Sequence, residues 1–448
     1  MQTWACTNTV LDEMTMRPLT RLDANIPVTI DGCSGGWTQH LSLESMAIDG
    51  AGALGIGSRV EMILQARDDF LVPLTGTVRS VETGPVGPRV SVVFDALDPQ
   101  GSEGLTALLS GLRKSAHLSI CATQDVEADR IDSGFDAWRF PHVSLPEIDA
   151  GEIDVRTEFL GKEFAAPILI SGMTGGSLPA RDINRSLATA AQELGIGMGL
   201  GSQRAMLEDL SLRSTYEVRD VAPDILLLAN LGAVQLGRGL GVEACSEVVE
   251  SVGADALVLH LNPLQEMVQP EGDRNWKGIL DRIATICEEL AVPVVLKETG
   301  AGMGGKMGSI AESVGAAALD VGGAGGTSWG YIEGFRSEDS VRRQIGETFR
   351  NWGISTYDSV RALRETTAIP LVASGGVRSG LEVAKAIAIG ATVCGSALPF
   401  FRAVREEGVQ GVCALTNRWV EELKIAMMCT GSGDLTALGR VPLTRSKS

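Results

Sequence analysis

Within seven residues, His260-Leu-Asn-Pro-Leu-Gln-Glu266, the chain gathers an imidazole, two carboxamides and a carboxylate. Groups of these types can hydrogen-bond an anion, hold a hard cation and order a proton transfer. The stretch follows the short apolar run Asp255-Ala-Leu-Val-Leu259, which reads as a buried parallel strand, and Pro263 stops that strand from running on. Polar clusters at the carboxyl ends of parallel strands are where α/β enzymes keep their active sites. A polar loop that only caps a strand fits the same residues, so the choice rests on the rest of the chain.

From about Ala165 onward, apolar strands, polar loops and helical segments alternate. The strands read as Pro167-Ile-Leu-Ile170, Ile196-Gly-Met-Gly199, Asp224-Ile-Leu-Leu-Leu228, Ala256-Leu-Val-Leu259, Pro293-Val-Val-Leu296, Ala316-Ala-Ala-Leu319, Pro370-Leu-Val-Ala373 and Ala391-Thr-Val-Cys394. Eight strands in strict alternation with helices predict an α/β fold of the TIM (β/α)8 barrel type. A doubly wound open sheet would not need eight units that each end in a Gly-rich turn.

Those ends carry chemistry. Strand 1 delivers Ser171-Gly-Met-Thr-Gly-Gly176, strand 2 Gly199-Leu-Gly-Ser-Gln-Arg204, strand 3 Ala229-Asn-Leu-Gly232 and strand 5 Lys297-Glu-Thr-Gly300. Strand 6 gives Asp320-Val-Gly-Gly-Ala-Gly-Gly-Thr-Ser-Trp329, strand 7 Ser374-Gly-Gly-Val-Arg-Ser-Gly380 and strand 8 Gly395-Ser-Ala-Leu-Pro399. Glycines after strands 7 and 8 expose backbone N–H groups that can wrap a phosphate. The set suits a flat cofactor ending in one phosphate, as flavin mononucleotide (FMN) does. Gly375, Gly376 and Arg378, with Ala397 and Leu398, are the expected phosphate side; Met173, Thr174 and Gly175 line the ring edge. Lys297 is placed to stabilise an anionic reduced ring, against the plainer reading of a strand-end lysine reaching solvent. Ser202, Asn230 and Thr327 complete the expected cofactor set.

A chain of 448 residues is too long for one ordinary core, and 44% hydrophobic with 21% charged residues describes a globular protein. The formal net charge of −18 argues against a general nucleic-acid binder and against an anionic membrane surface. Eight scattered Cys without a C-x-x-C pair fit a reducing compartment. The opening Met1-Gln-Thr-Trp-Ala-Cys-Thr-Asn8 lacks the basic start and apolar core of a leader, and no apolar run is long enough to span a bilayer. The expectation is a cytoplasmic protein.

The first hundred residues differ in texture. Ile26-Pro-Val-Thr-Ile30, Val60-Glu-Met-Ile-Leu64, Gly76-Thr-Val-Arg-Ser80 and Arg89-Val-Ser-Val-Val-Phe94 alternate between Gly, Asp and Pro turns, which predicts a small antiparallel β-barrel. A helical segment is expected over Glu103 to Leu112. Arg17-Pro-Leu-Thr-Arg21 followed by His40-Leu-Ser-Leu-Glu-Ser45 resembles a PilZ domain, a family that binds cyclic di-GMP through an R-x-x-x-R arm and a D/N-x-S-x-x-G turn. Arg17, Arg21 and Ser42 match; His40 and Ser45 stand where the family has Asp or Asn and Gly. Losing that Gly matters where the turn needs φ > 0, so a docking module is favoured over a nucleotide sensor. The expected domains are 1–112 and 113–448. No Pro/Ser-rich spacer separates them, and Arg113-Lys-Ser-Ala-His117 at the junction is either a solvated run or an anion-binding arm.

Taken together, Arg113-Lys-Ser-Ala-His117, Met173-Thr-Gly-Gly176, Gly201-Ser-Gln-Arg204, His260-Leu-Asn-Pro-Leu-Gln-Glu266 with Gln269-Pro-Glu-Gly-Asp273, the strand 6 loop and Ser374-Gly-Gly-Val-Arg378 resemble type 2, flavin-dependent isopentenyl-diphosphate isomerases, in the right order and over nearly the whole barrel. The resemblance implies exchange of isopentenyl and dimethylallyl diphosphate with reduced FMN and Mg2+, NADPH as reductant, and a homo-oligomer. Arg113, Lys114 and Arg204 would then supply cations to the diphosphate, and Ser202, His260 and Asn262 hydrogen bonds. Glu266 would hold Mg2+ on the phosphate oxygens. Gln265 would orient or relay beside the alkene, since a neutral amide is no base. Trp329 would shield a carbocation-like transition state, and Glu333 would join the acid–base network.

Val143, Thr299 and the loop Gly302-Met-Gly-Gly305 depart from the family pattern and are expected to tune packing. The fused first domain is the larger departure; if it biases the Arg113–Lys114 arm, removing residues 1–108 changes the affinity for substrate, and unchanged kinetics sink the idea. Two other readings compete. An α-hydroxy-acid oxidase would need a His and Arg pair placed for a carboxylate. A non-catalytic sensor would have no use for intact Gln265, Glu266 and Lys297.

Overall fold

In the strand Arg59–Arg67, Val60, Met62 and Leu64 are buried while Glu61, Ile63 and Gln65 face solvent, the period-two pattern of a sheet with one dry face. That pattern recurs in a computed structural model that describes residues 22–23, 26–31, 33–42, 45–52, 54–67, 70–84, 87–97, 101, 105, 114, 116–337 and 339–446. The chain divides into two compact units, residues 1–109 and 110–448.

The first unit is a closed antiparallel barrel. Pro27–Ile30, Cys33–Leu41, Ser45–Asp49, Arg59–Arg67, Phe70–Gly84 and Gly87–Phe94 form the ring, which closes where Cys33–Leu41 pairs with both Pro27–Ile30 and Ser45–Asp49. Gly36 sits at that closure with φ +118°, and a Cβ there would lie 2.1 Å from Asp49 O, so no other residue fits. Every expected strand of this region is found, the one near residue 76 running much longer than its alternation suggested. Arg17 and Arg21 lie outside the described residues, as does the segment Glu103–Leu112 except for Leu105, which is helical and buried. Ser42 is buried in a turn where its hydroxyl donates to Ser45 O and accepts from Ser45 N, both at 3.0 Å.

The second unit is an eight-stranded closed parallel barrel: β1 Ile168–Ile170, β2 Gly197–Gly199, β3 Leu227–Gly232, β4 Ala256–Leu261, β5 Val294–Glu298, β6 Ala318–Asp320, β7 Leu371–Ser374 and β8 Val393–Ser396. Its interior is filled by Leu169, Leu228, Val258, Val295, Val372 and Val393, among others. Phe159 and Phe164, from the hairpin Thr157–Phe159/Lys162–Phe164, plug the amino end. Gly197 opens β2 because a Cβ there would sit 2.5 Å from the Phe164 ring.

At the carboxyl end the same inward faces turn polar. Two residues beyond Leu228, Val258, Val295, Ala318 and Val372 come Asn230, His260, Lys297, Asp320 and Ser374, which alternation points into the mouth of the barrel. The apolar runs alone would stop β3 at Leu228, β4 at Leu259 and β5 at Leu296. The ladder continues because these polar residues keep their backbone pairing, His260 with Lys297 and Lys297 with Asp320. Pro263 does more than end β4: it opens the short helix Pro263–Val268, which carries Gln265 and Glu266. Among the described residues, no helix is long and apolar enough to cross a membrane.

Candidate active site

A cavity of about 250 Å3 opens at the carboxyl end of the barrel. Its wall takes in Lys114, Met173, Thr174, Gly175, Ser202, Arg204, Asn230, His260, Asn262, Gln265, Glu266, Lys297, Thr327, Trp329, Gly375, Gly376, Arg378, Ala397 and Leu398. Two expected site residues are not on that wall. Arg113 lies outside the described residues, and Glu333 is fully buried one layer behind Gln265.

His260 Nδ1 lies 2.7 Å from Asn230 Oδ1. Burial pushes the imidazole down to about 4, and the neighbouring Lys297 charge adds to this. The ring is therefore neutral near pH 7, with its proton on Nδ1 toward Asn230 and the Nε2 lone pair left over. Lys297 does not reach for solvent. Its Nζ donates to Asp320 Oδ2 at 2.7 Å and Ser374 Oγ at 3.1 Å, and the Ser374 hydroxyl donates to Asp320 Oδ1.

The helix Pro263–Val268 is cross-braced from below. Asn262 Nδ2 donates to Glu266 Oε1 at 2.9 Å and Gln265 Oε1 at 3.2 Å, and Asp273 N donates to Glu266 Oε2 at 2.6 Å. Gly272 permits that return of the chain, since a Cβ there would lie 1.9 Å from Glu266 O. Gln265 Nε2 in turn donates to Glu333 Oε1 at 2.9 Å. His117 Nε2 stands 3.1 Å from the same oxygen without a directed hydrogen bond, and its ring meets Trp329 edge-on at 5.3 Å.

The cations of the cavity wall are anchored. Lys114 Nζ donates to Ser202 O at 2.9 Å and Tyr216 Oη at 2.6 Å; Arg204 Nε donates to Glu208 Oε1 at 2.7 Å. On the glycine rim, Gly375 (φ +103°) and Gly376 (φ +73°) press on the backbone of Gly323 and Gly325, at 2.1 and 2.5 Å from a would-be Cβ. The Arg378 guanidinium, expected to face a phosphate, is instead paired with the Glu127 carboxylate at the cavity wall. The cause is a strand-like contact, Glu127 against Thr327, that brings the segment around Glu127 against the loop after β6.

Two polar atoms ask for a ligand. Ser171 Oγ and Asn262 Oδ1 are buried, line the cavity and have no hydrogen-bond partner among the described residues. With the Lys297 cation and the glycine rim, they fit a polar, anionic, planar cofactor. Two carboxylates line the cavity; Glu298 is tied to the backbone N–H groups of Gly300 and Ala301, which leaves Glu266 for a metal, and among the described residues no three His, Cys, Asp or Glu converge on one point. That donor set fits Mg2+ held mainly by phosphate and water.

Several working residues escaped the sequence reading. Asp320 follows Ala318 at the inward period of two and was open to that inference; Ser374 likewise. Tyr216 and Glu127 give no local signal, because only the folded chain brings them to Lys114 and Arg378.

Residues 112–218 and 250–445 match the family described as FMN-dependent dehydrogenase. The chain is 46% identical to an isopentenyl-diphosphate delta-isomerase of a Synechococcus species over 338 residues, 74% of this chain and 96% of that one. Proteins of the same name from Rickettsia bellii and Thermococcus onnurineus are 48% and 45% identical, over 74% and 75% of this chain and 96% and 91% of theirs. Among solved structures, a lactate oxidase of Pediococcus acidilactici shares the barrel fold with a TM-score of 0.52 at 15% identity, over 74% of this chain and 87% of that one. The chain belongs to the FMN-dependent dehydrogenase family and, within it, to the isopentenyl-diphosphate delta-isomerases.

Proposed function

We propose that the second unit interconverts isopentenyl and dimethylallyl diphosphate with bound reduced FMN and Mg2+. The observation that carries the reading is the hydrogen-bond chain that runs from Asn262 and Gln265 in the cavity wall back to the buried Glu333, together with a cavity lysine held by Asp320. Moving a C=C bond requires a proton added at one carbon and lost at another, within a site that excludes bulk water. FMN would be held by residues 173–175, Ser202, Asn230, Lys297, Thr327, the rim Gly375, Gly376, Ala397 and Leu398, and Arg378; when bound and reduced, it supplies the proton-exchanging group beside the alkene.

The protein's own residues do the rest. Lys114 and Arg204, with Arg113, offset the diphosphate charge, and Ser202 donates to its oxygens; Asn262, whose Nδ2 hydrogens go to Glu266 and Gln265, braces the helix beside it and does not donate to the diphosphate as expected. His260 donates from Nε2 only when doubly protonated, a state the bound anion favours and Lys297 opposes. Glu266 holds Mg2+ on the diphosphate, directly or through water. Gln265, its amide fixed between Asn262 and Glu333, orients the alkene end. Trp329, held edge-on by His117, offers a π-face to developing positive charge. NADPH is the proposed source of the flavin's electrons, the compartment is the cytoplasm, and the working form is a homo-oligomer. The first barrel is read as a PilZ-like docking module; cyclic di-GMP binding through Arg17, Arg21 and Ser42 is the lesser alternative.

An anaerobic assay tests the reaction. Protein, FMN, dithionite or NADPH, Mg2+ and isopentenyl diphosphate should yield dimethylallyl diphosphate, and the yield should vanish when flavin stays oxidised. No product from a flavin-loaded protein would refute the reading.

A further inference from the structure

Glu333 shows only one of its oxygens to the active site. Oε1 takes the Gln265 Nε2 hydrogen bond and faces His117 Nε2. Oε2 is turned away to Arg336, whose Nε and Nη2 reach it at 3.0 and 2.9 Å. The same Nη2 meets Glu271 Oε1 at 2.6 Å. Arg336 is 4% exposed and Glu333 fully buried, whereas Glu271 is 30% exposed. A carboxylate–guanidinium–carboxylate chain thus runs from the edge of solvent to the back of the cavity, and its middle member does not touch the cavity.

The helix Trp329–Arg336 fixes this arrangement. Glu333 and Arg336 are neighbours at i and i+3, and Arg336 occupies the last turn, where a cation suits the helix dipole. Gly334 packs against Gly346 of the helix Ser340–Thr348 so tightly that a Cβ on either would lie 2.7 to 2.8 Å from the other's Cα. The helix therefore has little freedom to turn and part the two residues.

Both Glu333 oxygens face donors. A proton on Oε2 would confront the guanidinium N–H groups, and one on Oε1 the Gln265 N–H. Arg336 brings a permanent positive charge against Oε2 and favours the ionised carboxylate. Among the described residues, the other charged neighbours are placed otherwise. Glu266, on the facing helix, turns to Asn262 and Asp273 N; Arg342 and Arg343 bond to the carbonyls of Val268 and Ser337.

We propose that Arg336 is a positioning residue for the isomerisation: it holds Glu333 ionised and so fixes the Gln265 amide with Nε2 toward Glu333 and Oε1 toward Asn262, while Glu271 moderates its charge from the solvent side. This rests on the reading that Gln265 and Glu333 serve proton movement in the cavity.

The test compares Arg336→Met, Arg336→Lys and Glu271→Gln. Infrared spectra of substrate-free protein should show no carboxylic-acid C=O band assignable to Glu333 near neutral pH in the parent or in Arg336→Lys, and should show one in Arg336→Met; Glu333→Gln makes the assignment. In kinetics, Arg336→Met should lower kcat more than it changes KM and move the acid limb of kcat/KM to higher pH by about one unit or more, the size expected for losing an adjacent cation. Arg336→Lys should restore most of both, and Glu271→Gln should move the limb to lower pH. If Arg336→Met does not fold, Glu271→Gln at its half-exposed position carries the test. A Glu333 acid band in the parent, or limbs unmoved in Arg336→Met and Glu271→Gln, overturns the proposal. The infrared pattern without any isomerase turnover would remove the reaction and leave the ionisation assignment standing.

Discussion

Lys297 and Asp320 are register partners across β5 and β6, and the ladder that pairs their backbones also brings Nζ within 2.7 Å of Oδ2. The two side chains are 13% and 5% exposed, so the ammonium is held at the cavity mouth by a nearly buried counter-charge. Asp320→Asn keeps the shape and removes that charge. Breaking one partner of a buried pair costs about 3 kcal/mol or more, so a lower thermal midpoint is expected, with FMN bound about tenfold more weakly as Lys297 loses its orientation. Flavin fluorescence titration reads the second effect; an unchanged affinity would detach Lys297 from the flavin site.

His260 predicts a pH dependence. Its folded value of about 4 lies below the ordinary 6.5, so the neutral ring's contribution to stability is complete above about pH 6.5 and is lost as pH falls toward 4. Ligand-free protein should lose stability over that window, and His260→Gln should lose less. The check is the difference between the two urea-midpoint curves from pH 8 to pH 4, which should be flat above 6.5 and slope below it.

Glu298 has the opposite sign. Burial pushes its carboxyl up to about 7, against the backbone N–H groups of Ala301, Gly300 and Thr299 and the Lys297 charge, which pull it down. The folded protein therefore holds this proton more tightly than the unfolded chain, and the stability so gained fades as pH rises from 4.5 through 7. Glu298→Gln should abolish that fade in the same measurement. Because Glu298 ties down the turn through Gly300 and Ala301 beside the cavity, Glu298→Ala should also weaken FMN binding.

Glu266 is the cavity carboxylate proposed to hold the metal. Glu266→Gln retains a hydrogen-bonding shape but removes the charge that Asn262 and Asp273 N brace. The Mg2+ concentration giving half-maximal turnover should rise at least about tenfold, the scale of losing one metal-site interaction. Turnover that responds to Mg2+ as in the parent would place the metal elsewhere.

The barrel was legible because apolar runs at regular spacing leave few other folds, and the glycine-rich ends marked its working rim. Strand ends were less legible. His260 and Lys297 look like loop residues by polarity, yet their backbones stay in the ladder, and only the period of two carried past Val258 and Val295 reveals that they point inward. Partnerships between distant segments were not legible at all. Nothing local in the sequence says that Arg336, an i+3 neighbour of Glu333, also reaches Glu271, or that Tyr216 receives Lys114.

Arg378 and Glu127 give the last prediction. Segment 126–128 is laced to the β6 loop, Ala128 N to Gly326 O at 3.0 Å and Ser328 N to Val126 O at 2.9 Å, which sets the Glu127 carboxylate on the guanidinium. Arg378 Nη1 is meanwhile spent on Val377 O at 2.7 Å. A cofactor phosphate arriving at the glycine rim meets an arginine whose charge is already matched. Competition for one fork implies that Glu127→Gln tightens FMN binding and Arg378→Ala weakens it. Both partners are about a third exposed, so solvent screening limits the gain to about 1 kcal/mol, or up to about fivefold in Kd. Weaker binding in Glu127→Gln would mean that the carboxylate aims the guanidinium at the phosphate, making Glu127 a support of the site and not its competitor.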